Sequence, residues 1–106
     1  MAALAPYRHF GTNGTISAQP GCQLALITGF SASLATRWLQ LFDTNTPAPG
    51  AEPRQSFPVP AGAPFSFASS AVGPAFGSQC FWAVSDTGPT FSQSPDSFFV
   101  YAEGTT

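Results

Sequence analysis

Thr36-Arg37-Trp38-Leu39-Gln40-Leu41-Phe42-Asp43 is the stretch on which the fold turns. If it is extended, Arg37, Leu39, Leu41 and Asp43 point one way and Trp38, Gln40 and Phe42 the other. Neither face is cleanly polar. That pattern describes a strand covered on both sides, with Gln40 either hydrogen-bonded or near a sheet rim. Asp43 begins the exit, and Asn45, Pro47, Pro49 and Gly50 bar a helical continuation.

Working outward, two other stretches are as apolar. Cys22-Gln23-Leu24-Ala25-Leu26-Ile27-Thr28-Gly29-Phe30 follows the break at Pro20-Gly21, and strict alternation puts Cys22, Leu24, Leu26 and Thr28 on one face. Cys80-Phe81-Trp82-Ala83-Val84-Ser85 puts Cys80, Trp82 and Val84 on one face and Phe81 and Ala83 on the other. Phe57-Pro58-Val59-Pro60 is extended and suits an edge, because proline cannot donate to a ladder. Phe65-Ser66-Phe67 alternates, and Phe98-Phe99-Val100-Tyr101-Ala102 closes the series. Short strands punctuated by turn signals predict an all-β fold, a small antiparallel β-sandwich or jelly-roll-like barrel. Its predicted core is Leu24, Leu26, Trp38, Leu39, Leu41, Phe65, Phe67, Trp82 and Val84.

Residues 1–15 read as an N-terminal arm, leaving 16–106 as one sandwich domain. In the arm, Tyr7-Arg8-His9-Phe10 forms a short edge strand or lies across a neighbour. Asn13-Gly14 reads as a turn. Residues 44–56 form a polar, proline-rich connection of unusual length.

The chain has 106 residues with 8% charged, a formal net charge of −2, and 11 phenylalanines. Such aromatic content does not describe a disordered chain. Weak charge gives weak self-repulsion, which favours life inside an assembly. The three basic residues, Arg8, Arg37 and Arg54, are dispersed, so no nucleic-acid surface is expected. No apolar run is long enough for a membrane-spanning helix. The start lacks a basic leader with an apolar centre, so the expectation is synthesis in the host cytoplasm.

Chemistry-bearing motifs are sparse. Cys22, Trp38 and Cys80 follow the order of immunoglobulin domains, yet Ser78 stands where their tyrosine would be. Cytoplasmic synthesis favours free, buried thiols, with a disulfide as the alternative. His9 is a lone histidine without a nearby acid, and the five acids sit beside turns or tails. Glycine-rich phosphate loops, a P-loop lysine and a Gly-x-Ser-x-Gly elbow are all missing. No enzyme, cofactor or metal site is expected.

Adjacent aromatics are harder to hide. In Phe81-Trp82 and Phe98-Phe99 one ring of each pair must leave the sandwich interior. Phe81 and Phe99, with Tyr7 and Phe10 of the arm, are therefore the candidate assembly contacts. The competing reading of the outward rings is a carbohydrate-stacking platform.

Arg37 to Asp43, then Phe57-Pro58-Val59-Pro60-Ala61-Gly62, then Phe81 to Ser85 with Thr87 to Thr90, resembles small bacteriophage and prophage virion proteins. The resemblance spans roughly residues 22–102 and departs at Phe76-Gly77-Ser78-Gln79-Cys80. It implies a non-enzymatic, multi-copy virion structural protein and homo-oligomer. The role expected is a capsid decoration protein gripping major capsid or other virion proteins. The alternative is a tail, neck or fibre component that binds a host glycan or receptor. Deleting residues 2–10 is expected to spare the folded remainder.

Overall fold

The structure, a computed structural model, describes residues 3–106. Eight strands follow in order: β1 Tyr7–Gly11, β2 Asn13–Ser17, β3 Gln23–Ser31, β4 Arg37–Phe42, β5 Gln55–Val59, β6 Pro64–Ala68, β7 Cys80–Ser85 and β8 Phe98–Thr105. A single helical turn, α1 Ser69–Val72, lies between β6 and β7. The first sheet has the order β1-β8-β3-β6 and the second β2-β7-β4-β5.

All neighbouring strands are antiparallel. The nested pairs β1–β8, β2–β7, β3–β6 and β4–β5 are those of a long hairpin rolled up on itself. The protein is an eight-stranded jelly roll. The connections β1–β2, β3–β4, β5–β6 and β7–β8 all cross between sheets at one end, where the Gly62 N–H donates to the Ser33 carbonyl at 3.1 Å. The termini and the other three connections occupy the opposite end.

The opening stretch behaves as its alternation requires. Leu39 and Leu41 enter the interior, and Gln40 and Phe42 are buried on the outer side of the second sheet. Inside, they meet Leu24, Ile27, Val59, Phe65, Trp82, Val84, Phe98 and Val100. A second cluster lies beyond that sheet, where Phe42, Phe81, Ala83 and Phe91 pack together under the chain's own loops.

Three core assignments change. A bulge between Leu24 and Leu26 inserts one residue and reverses the phase of β3. Ile27 thereby goes inside at 0% exposure, and Leu26 is turned outward and only half-buried. Trp38 belongs to the outer side of the second sheet, half-buried beside Gly88. Phe67 sits at the rim, packed on the core and stacked on Phe57 at 4.0 Å.

Residues 3–15 do not stand apart as an arm, and of the two readings of Tyr7-Arg8-His9-Phe10 the edge strand holds. Met1 and Ala2 lie outside the described residues, but Tyr7–Gly11 pairs with β8 and Asn13–Ser17 with β7. One ribbon, bent at Thr12, thus supplies an edge to each sheet. Asn13-Gly14 is strand rather than turn. Gly14 is needed there for close approach, because a Cβ would fall 2.9 Å from Trp82 Nε1 and overlap the Tyr7 hydroxyl.

Candidate interaction surface

The two outer faces of the sandwich differ in how they are covered. Over the second sheet, the β7–β8 connection is pinned by Gln40. Its Nε2 donates to the Thr87 carbonyl at 2.9 Å and the Gly88 carbonyl at 3.0 Å. Ser85 Oγ accepts from the Ser92 N–H at 3.0 Å and donates to the Thr87 carbonyl at 2.8 Å. The β4–β5 connection joins it, with the Gly50 N–H on the Phe91 carbonyl at 2.8 Å and the Phe91 N–H on the Ala51 carbonyl at 2.8 Å. Phe81, a candidate assembly contact, is consequently 8% exposed and part of the protein's own packing.

Among the described residues no such lid covers the first sheet. Its strands are in register so that Phe10, Phe99, Phe30 and Pro64 form one row across all four. Val100 and Phe98 point inward, so alternation sends Phe99 out. Phe10 is 50%, Phe99 56% and Phe30 44% exposed. The Phe10 and Phe99 rings touch, with centroids 4.3 Å apart. Leu34, in the β3–β4 connection at the same end, is 99% exposed. The next row along is Arg8, Tyr101, Thr28 and Ser66. Between the rows lies a depression of about 180 Å³ lined by Arg8, His9, Gly29, Phe99, Val100 and Tyr101.

Of the four candidate contacts, the structure brings Phe10 and Phe99 together on this face. Tyr7 faces inward, and its hydroxyl accepts from Trp82 Nε1 at 2.8 Å. Burial pushes the Tyr7 phenol up. Phe30 was not singled out from the sequence. Strict alternation gave it no distinct role, and the bulge that aligns it with Phe99 leaves no mark in composition.

The groups that might carry chemistry are engaged in structure. Cys22 and Cys80 are free and fully buried. The neighbouring Cys22 thiol first, and burial after it, push Cys80 far up, away from a thiolate. His9 neighbours the rings of Tyr7 and Trp82. The Asp43 carboxylate accepts from the N–H groups of Ser78 at 2.7 Å, Gly77 at 3.0 Å and Gln79 at 3.1 Å. Those donors, Ser78 first, hold its carboxyl below the usual range. Arg37 Nε sits 2.9 Å from Asp96 and 3.2 Å from Asp86. The Asp96 carboxyl is held low, by the Ser33 hydroxyl first and Arg37 after it. Arg54 binds the Pro74 and Ala75 carbonyls and lies over the Phe76 ring. Among the described residues no three potential ligands are grouped as a metal site would need.

Fold and surface together define an all-β sandwich with one face covered by its own loops and one face, crossed by an apolar row, left open. No protein-family model, curated protein or solved structure matches the chain.

Proposed function

We propose that the protein is a non-enzymatic structural protein that adheres, in many copies, to a larger protein assembly. The finer reading is a phage capsid decoration protein. The observation that carries it is the open row Phe10–Phe99–Phe30, set against a second sheet whose outward Phe42 and Phe81 are roofed and whose Trp38 is half-buried. Contiguous exposed rings of this kind mark interaction surfaces.

Size argues for repetition. Four strands about 4.8 Å apart and about five residues long give a face of roughly 300 Å². A stable pairwise interface needs about 800 Å² from each partner. One copy on this face alone would hold weakly, and many copies on one lattice would hold through valency. The jelly roll is a fold of viral capsid and lectin domains, which supports the virion reading by analogy of fold only. The stretches that resemble virion proteins fall on β4, β5 and β7 with their loops, all in the covered sheet.

The test is quantitative mass spectrometry of particles purified from a lysate in which the gene is expressed. Hundreds of copies per particle, lost on Phe99→Asp, are expected for decoration. Six to a few tens would shift the site to neck or tail. Absence from particles rejects the proposal. Binding on a glycan array by the isolated protein would favour the receptor-binding alternative.

A further inference from the structure

Resting on that reading, the geometry points to the chemistry of the partner: the depression beside Phe99 takes an aromatic side chain whose carboxylate neighbour meets Arg8. The walls are the Phe99 ring on one side and Tyr101 with Arg8 on the other. The floor is the inward-facing row His9, Val100 and Gly29, which shows its backbone to the outside. At about 180 Å³ the depression matches one benzene-sized ring, since a buried cavity of about 150 Å³ holds benzene.

Charge selects what accompanies the ring. Arg8 is exposed, and its guanidinium carbon lies 5.6 Å from the centre of the Tyr101 ring. Among the described residues it forms no ion pair, unlike Arg37. The acid nearest on this face, Glu103, is taken up by the Tyr101 hydroxyl at 2.6 Å. Glu103 also lines a different depression, with Ala3, Leu4 and Ala25. Tyr101 therefore stands as a ridge between the two charges, and Arg8 is the one that lines the Phe99 groove. A ring with an adjacent carboxylate satisfies both groups. A ring with an adjacent ammonium would face Arg8 in repulsion.

Amide chemical shifts of the full chain test this, with 3-phenylpropionate, 2-phenylethylamine and acetate as probes. Saturable shifts at Gly29, Val100 and His9 are expected with 3-phenylpropionate, with a Kd on the order of 10 mM. It should bind about threefold more tightly than the amine, an advantage that shrinks with added salt. Acetate should leave these amides unmoved. Arg8→Gln should equalise acid and amine while keeping ring binding, and Phe99→Ala should abolish both. Equal affinities in the unmodified protein, or shifts elsewhere, overturn the assignment. A concentration-dependent dimer in sedimentation, lost in Phe99→Ala, would put a second copy in the groove and overturn it too. Loss of probe selectivity with normal particle incorporation of the unmodified chain would strike the partner chemistry alone. Selectivity without incorporation would strike the assembly role and leave the groove's chemistry standing.

Discussion

Asp43 shows how one side chain ends a strand and ties a distant loop. It is the last residue of the opening stretch, and it gathers three N–H groups from residues 77–79. Its folded-state pKa is depressed, so its contribution is present above the unfolded pKa, near 3.9, and is lost as pH falls through the lower folded value. Asp96 adds in the same direction. Thermal melts by circular dichroism should show stability declining below about pH 4, with a shallower decline in Asp43→Asn. A parallel decline in the variant would refute this role. Gln40 is the buried counterpart. Gln40→Leu would remove two hydrogen bonds from the β7–β8 connection and leave Ser85 Oγ and Ser56 Oγ as the side-chain donors to the Thr87 and Gly88 carbonyls. Urea unfolding should report a loss of about 1–3 kcal/mol. The sequence announced this residue, because a glutamine between Leu39 and Leu41 on a doubly covered strand must find partners. It could not announce which loop supplies them.

At the scale of elements, legibility followed local pattern. β4 and β7 were readable because every residue obeys period two. β3 was readable as a strand but not in phase, since one extra residue at Ala25 exchanges Leu26 for Ile27 and brings Gly29 to the inside. A Cβ at Gly29 would fall 2.7 Å from the Phe65 ring and overlap the Phe99 carbonyl oxygen. Gly29→Ala should therefore cost about 2–3 kcal/mol in urea unfolding. Near-neutral behaviour would mean that the bulge sits elsewhere. β1 was legible only as one of two alternatives, an edge strand within an arm, and β2 was hidden behind the Asn13-Gly14 turn signal; the strand state of both comes from pairing with β8 and β7. Deleting residues 2–10 removes an edge strand and the Tyr7 partner of Trp82. Loss of the cooperative thermal transition is the expected outcome, the reverse of what an arm would give. An intact transition would restore the arm.

The whole molecule carries its own control, because the two faces of one sandwich differ in their cover. Both carry outward phenylalanines, and only the second sheet is roofed by the 43–54 and 86–97 connections. The adjacent rings of Phe81-Trp82 and Phe98-Phe99 directed attention to Phe81 and Phe99 equally, because adjacency says that one ring must leave the core, not whether a loop will cover it. The structure separates them, and their energetics should separate as well. Phe81→Ala opens a packed cluster with Phe42 and Phe91 and should cost about 3 kcal/mol. Phe99→Ala loses only the exposed contact with Phe10 and should cost less than about 1 kcal/mol. Equilibrium urea unfolding of the two variants, beside their recovery in particles, decides the matter. A ring that costs the monomer little yet removes the protein from the assembly is held for a partner. Equal destabilisation by the two substitutions would mean that the first sheet is covered after all and that the row has no surplus to offer.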